Sequence, residues 1–140
     1  MERAAAQPEL WAGLRPLVKM DLLEAGVETL NLEPGQIWDL GGGARLSAPA
    51  VAGERAELLL EWENFRALLP GGLEPGLIGA ALPVSVVVIG ENAEGWHAGA
   101  AQAQVVCSAG VAPPGVVALP PGSWLEVTSD GEQMWLESGY

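Results

Sequence analysis

A chain of 140 residues with 49% hydrophobic and 17% charged side chains holds enough apolar material for a buried core, which argues against disorder and for a single domain. Its net charge is -12, and all six cations (Arg3, Arg15, Lys19, Arg45, Arg55 and Arg66) lie in the first 66 residues. From Ala67 onward there are seven acids and no Lys or Arg, whereas phosphate-binding surfaces and docking to anionic membranes both need clustered cations.

Met1-Glu2 opens the chain without a basic stretch or an apolar run, so no secretory signal is expected and synthesis takes place in a cytoplasm. Residues 1–28 read as an N-terminal arm. Pro8 suits the first turn of a short helix and Pro16 stops its continuation. Leu10, Trp11, Leu14 and Leu17 make this segment too apolar for a free tail, and they are the candidate interface residues. Trp11 in particular has the character of an aromatic anchor.

Residues 29–140 read as a β domain. The form Leu-x-Pro-Gly recurs at Leu32–Gly35, Leu73–Gly76 and Leu119–Gly122, and Pro-Gly fits the centre of a type II turn. An apolar run follows each one: Gln36–Leu40, Leu77–Ala80 and Ser123–Val127. Frequent turns with short apolar segments between them predict a multi-strand antiparallel sheet. Gly41-Gly42-Gly43 lacks the Gly-Lys-Ser/Thr ending of a phosphate loop and has Leu46 where a dinucleotide fingerprint needs its third Gly, so it reads as a connector with positive φ. Residues 54–69 fit two periods. Ala56, Leu58, Leu60 and Trp62 alternate as in a strand, while Leu58, Trp62, Phe65 and Leu69 suit a helix stopped at Pro70; strand is preferred for 55–63.

Further along, Pro83 to Ile89 is rich in β-branched residues and reads as a buried strand. The most apolar stretch, Ala80 to Ile89, is only ten residues long and contains Pro83, against the ~20 that a membrane-spanning helix requires. Trp96 to Cys107 is read as another strand, bulged at Gly99. Cys107 stands alone, which rules out an intrachain disulfide, and reads as a small buried strand residue. Trp124–Val127 and Gln133–Leu136 flank Asp130-Gly131, a strong hairpin signal that makes these two the structural turn residues.

No catalytic or metal-binding set emerges from these residues. His97 is the sole histidine, and with Cys107 it gives no second donor of either type for a structural zinc site or an oriented dyad. Glu61 with Glu63, and Glu91 with Glu94, have the chemistry of an acid/base pair for glycoside cleavage, but such pairs arise by chance among 18 acids. No cofactor is expected. Six Trp against one Tyr and one Phe is the most unusual feature. Trp38, Trp62, Trp124 and Trp135 fall in predicted strands and are read as core, with a sugar-binding platform as the functional alternative.

The stretch Leu119-Pro120-Pro121-Gly122-Ser123-Trp124 through Ser129-Asp130-Gly131 to Trp135 resembles a phrase at the end of β modules in tailed-phage virion proteins. In those modules an apolar residue and a Pro/Gly turn precede a strand, followed by Ser-Asp-Gly and then Trp. Trp135 stands four residues after Gly131, slightly later than in that pattern. Leu46–Pro49 to Gly53–Arg55 is similar to the same modules' apolar-Pro, then Gly and strand. The resemblance covers 20 to 35 residues. It implies a trimeric, non-enzymatic virion protein, and among these the short chain with an arm looks most like a capsid decoration (cement) protein.

The expectation is therefore a mainly β protein: an antiparallel β-sandwich or barrel-like domain with an extended N-terminal arm and one short helix. It is expected to act as a homotrimer on the major capsid protein, at the capsid surface of a virion, without enzymatic activity, nucleic acid or membrane. A tail or receptor-binding tip domain and a Trp-based carbohydrate-binding module are the alternatives. One Lys against five Arg, with few Asn and Gln, is compatible with a thermophilic source.

Overall fold

The computed structural model describes residues 32–139 except 91, 110 and 111. The arm at 1–28, with Leu10, Trp11, Leu14 and Leu17, lies outside the described residues.

The chain is mainly β, as expected. Its strands are β1 (Gln36–Gly41), β2 (Ala44–Ala48), β3 (Val51–Ala52), β4 (Arg55–Ala56), β5 (Leu58–Trp62), β6 (Phe65–Leu69), β7 (Val84–Ile89), β8 (Ala103–Ala109), β9 (Val117–Leu119), β10 (Trp124–Ser129) and β11 (Met134–Gly139). Seven of them form one sheet in the order β1-β2-β5-β6-β7-β8-β9, beside two-stranded ribbons β3-β4 and β10-β11. The antiparallel expectation holds for β1, β2, β5 and β6 and for both ribbons. From β6 to β9 the pairing is parallel. Parallel neighbours need crossover connections, and residues 70–83 and 90–102 supply the first two.

The ambiguous 54–69 region is strand, not helix, and holds β4, β5 and β6. Leu58 to Trp62 folds back on Phe65 to Leu69, with Trp62 opposite Phe65, and Glu63 takes the positive φ that the tight turn demands. Period two wins because both strands have apolar partners on each side. Leu59, Leu68, Val87 and Val106 lie opposite one another in a row across β5, β6, β7 and β8, all buried. The two crossovers cap this row with Ile78, Leu82, Trp96 and Ala101. On the other side of the sheet Leu46, Leu60, Ala67, Val86 and Val105 form a second row.

Two of the three Leu-x-Pro-Gly turns behave as expected, with φ of 84° at Gly35 and 81° at Gly122 and a strand after each. The third does not. Pro75–Leu77 is a 3-10 turn, and the run Leu77–Ala80 is loop rather than strand. Trp96 to Cys107 also needs correction. The chain makes a 3-10 turn at Ala93–Gly95 and the short helix α1 at Ala98–Ala101 before β8 begins. Gly99 therefore sits in a helical turn, not a bulge. The triple glycine is the positive-φ connector that the sequence indicated, closing the β1-β2 hairpin.

The crossovers are wired by polar groups as well as packed. The Trp96 indole is fully buried, and its Nε1–H donates to the Leu73 carbonyl at 3.0 Å, tying the second crossover to the first. Arg66 donates to Glu61 and to the carbonyls of Ala81 and Pro83, so β6 holds the end of the first crossover. Glu57, just before β5, is fully buried and accepts from the backbone N–H of Gly79 at 2.8 Å and of Ala80 at 3.1 Å. Burial pushes its carboxyl pKa up, against the lowering effect of these two hydrogen bonds.

Candidate functional site

The charged and nucleophilic residues singled out in the sequence are dispersed by the fold. His97 is exposed, and its Nδ1 accepts from the Ala100 N–H at 3.2 Å, capping the first turn of α1. Cys107 is buried on β8 with its Sγ 3.6 Å from the Val87 carbonyl, and burial raises its thiol pKa. Glu61 is engaged by Arg45 and Arg66, whereas Glu63 occupies the β5-β6 turn. Of the second pair, Glu94 lies in a 3-10 turn and Glu91 is outside the described residues. No cluster of potential metal ligands occurs among the described residues.

Concave surface does not gather chemistry either. A hollow of about 570 Å³ is lined by Asn64, Arg66, Ser85, Gln102 and Gln104, but the Arg66 guanidinium is already engaged by Glu61 and two carbonyls. A wider one of about 1000 Å³ lies along Glu74, Asn92, Glu94 and Pro113. Its Asn92 amide is committed to the Gly72 carbonyl at 2.9 Å.

The β10-β11 hairpin is different in kind. Its six-residue strands pair in full register from Trp124 opposite Gly139 to Ser129 opposite Met134. Asp130-Gly131 opens a four-residue connection, longer than the two-residue turn the dipeptide suggested. Asp130 Oδ1 accepts from the N–H of Glu132 and Gln133 at 2.9 and 2.7 Å, and these bonds hold its carboxyl pKa below the ordinary value. Ser129 Oγ accepts from Gly131 N–H and donates to the Gln133 carbonyl. The hairpin tip is tied to the sheet by Asn64 N–H donating to the Gly131 carbonyl at 3.0 Å.

Strand alternation divides the hairpin into two faces. Leu125, Val127 and Met134 are half-buried on one. The other carries Trp124, Glu126 and Thr128 opposite Gly139, Glu137 and Trp135. Trp124 and Trp135 are 44% and 51% exposed, which corrects the expectation that both belong to the core. Among the described residues the fully buried tryptophan is Trp96, which the sequence placed at the start of a strand. Trp38 and Trp62 are half-buried, and the Trp62 indole donates to the Gly42 carbonyl at 3.1 Å, bracing the glycine connector. The Trp124 ring packs against Gly139, so close that a Cβ there would be 2.8 Å from its Cζ2. Beside it a hollow of about 280 Å³ opens between the hairpin and β9, lined by Val117, Leu119, Trp124 and Ser138.

No protein family, curated protein or solved structure matches the chain.

Proposed function

We propose that this chain is a non-enzymatic assembly protein, an oligomeric decoration protein on the outside of a tailed-phage capsid. The observation that carries the reading is the C-terminal hairpin. The stretch that resembles virion β modules folds as a ribbon with two tryptophans turned to solvent. Exposed indoles on a regular scaffold are costly in a free monomer and are enriched at the centres of interfaces. Homotrimerisation draws on a second set of apolar residues: Leu69 on β6, Val88 on β7 and Val117 on β9 are exposed on the same sheet.

The test is co-sedimentation of the full chain with empty shells of the major capsid protein from the same genome, with the Trp124→Ala/Trp135→Ala variant alongside. Saturable binding that the variant loses supports attachment through the hairpin. Absence of wild-type binding to expanded shells refutes it. Light scattering that finds only monomer at micromolar concentration removes the trimer.

A second reading uses the same two indoles as a stacking platform for sugar rings. Binding to a glycan array that Trp135→Ala abolishes, without any affinity for shells, replaces the first reading with this one.

A further inference from the structure

We propose that the exposed face of the β10-β11 hairpin receives an arginine-bearing segment of a partner polypeptide. The proposal rests on the reading of the hairpin as a docking element and specifies the chemistry of what docks.

Glu126 and Glu137 are direct cross-strand partners. Side chains opposite one another on one face of a ladder have Cβ atoms about 5 Å apart, and like charges so placed repel. Among the described residues neither carboxylate has a cationic partner: the ion pairs there are Arg45–Glu61 and Arg66–Glu61. Among the described residues the one side-chain hydrogen bond to Glu126 comes from the Thr128 hydroxyl, at 3.5 Å. The sequence from 67 to 140 contains no Lys or Arg that could relieve the repulsion. Trp124 stands one step before this pair and Trp135 one step after it, on opposite strands. The face therefore reads indole, two carboxylates, indole, over about 14 Å of strand.

Each part of that ladder disfavours the bare hairpin and favours the same ligand. Two opposed carboxylates bind a fork of N–H donors bidentately. An indole face attracts a flat cation, and guanidinium stacks there better than a compact ammonium. The Trp124 ring packs against Gly139 and is 44% exposed, so part of the indole is open to a ligand. An extended segment with arginines at alternate positions matches the strand repeat of the ladder.

The probe is a fluorescent heptapeptide of alternating glycine and arginine, with its lysine counterpart, titrated against the full chain by anisotropy at physiological salt. Glu126→Gln/Glu137→Gln is compared with Glu33→Gln/Glu54→Gln, which removes equal charge from exposed sites elsewhere, and thermal melts confirm that both variants fold. The arginine peptide is expected to bind several-fold tighter than the lysine peptide. The hairpin variant should weaken it by about tenfold and the control by less than about twofold. Equal losses in the two variants would mean that net charge alone attracts the peptide, and the proposal fails. If shells bind the Glu126→Gln/Glu137→Gln chain normally but not Trp124→Ala/Trp135→Ala, the arginine partner is wrong while attachment through the hairpin stands. If sedimentation shows that the charge variant dissociates an oligomer, the occupant is a second copy of this chain and the separate partner is overturned.

Discussion

Gly131 is the point at which the hairpin's own geometry and its attachment to the sheet meet. It adopts φ of +95°, and a Cβ there would collide with the Glu63 carboxylate and lie 3.1 Å from Glu63 Cβ. Gly131→Ala therefore carries two penalties. A side chain in the left-handed region costs about 1–2 kcal/mol. Pushing the tip away from the β5-β6 turn also weakens the Asn64–Gly131 hydrogen bond, worth about 0.5–1.5 kcal/mol net. Together they amount to about 1.5–3.5 kcal/mol, and Gly131→Val is worse because a β-branched residue is stiffer still. Gly122 is the internal control: its φ is +81° but nothing stands within 4 Å of an added Cβ, so Gly122→Ala pays only the first penalty. At about 4 °C per kcal/mol, between the values for 100- and 150-residue domains, Gly131→Ala should melt a few degrees below Gly122→Ala. Adding Glu63→Ala to Gly131→Ala should recover part of that gap, a coupling that a double-mutant cycle measures. Equal melting of the two glycine variants would refute the contact, and with it the idea that the tip is held by the sheet.

The remaining predictions concern the core and the crossovers. Burial raises the Glu57 pKa in the folded state, so the group's contribution is fully present below its unfolded pKa and is lost as pH rises through the folded value. Glu57→Gln keeps an acceptor for Gly79 and Ala80 and should flatten the dependence of melting temperature on pH between neutrality and the ordinary glutamate range; an unchanged slope would contradict this. Trp96→Phe leaves the Leu73 carbonyl without its buried donor and should cost about 1–3 kcal/mol in denaturant unfolding, whereas a loss within experimental error would remove the indole tie. His97→Ala gives up one cap on a four-residue helix and should lower stability by no more than about 1 kcal/mol, with shell binding unchanged. In hydrogen exchange, amides of β10 and β11 should exchange at least about a hundredfold faster than those of β7, because a lone two-stranded ribbon is marginal whereas β7 is paired on both sides.

What the sequence conveyed was local. The positive φ at Gly35, Gly122 and Gly131 and the strand Val84–Ile89 follow from residue chemistry within a few positions of each site. The errors arise where distant contacts decide. Glu57 looks like a solvent-facing charge in an alternating strand, yet it shares its side with buried Leu59, and only the return of the chain at Gly79 and Ala80 supplies the donors that make burial tolerable. The parallel pairing of β6, β7 and β8 was hidden because their crossovers carry little helix: four residues of α1 and two 3-10 turns give no 3.6-residue period to detect. The tryptophans misled for the same reason. Trp96 sits in a glycine-rich, helix-breaking context yet is the residue that locks two crossovers together. Trp124 and Trp135 occupy well-formed strands whose ribbon has no sheet above their face among the described residues.

That inversion bears on the proposed role of the molecule as an attachment device. The crossover layer, closed by Trp96, Glu57 and Arg66, gives the sheet a rigid interior that does not depend on the hairpin. The hairpin joins this body through the turn after β9 at its base and through Gly131 and Asn64 at its tip. A ribbon fixed at both ends keeps its register while its outer face stays open, so the two indoles and the paired carboxylates are presented in a fixed spacing rather than on a floppy loop. Preorganisation of this kind lowers the ordering cost of association. It also separates affinity from stability: Trp124, Glu126, Trp135 and Glu137 contribute little to the core, so substitutions there can retune the partner while Trp96 and Glu57 keep the fold.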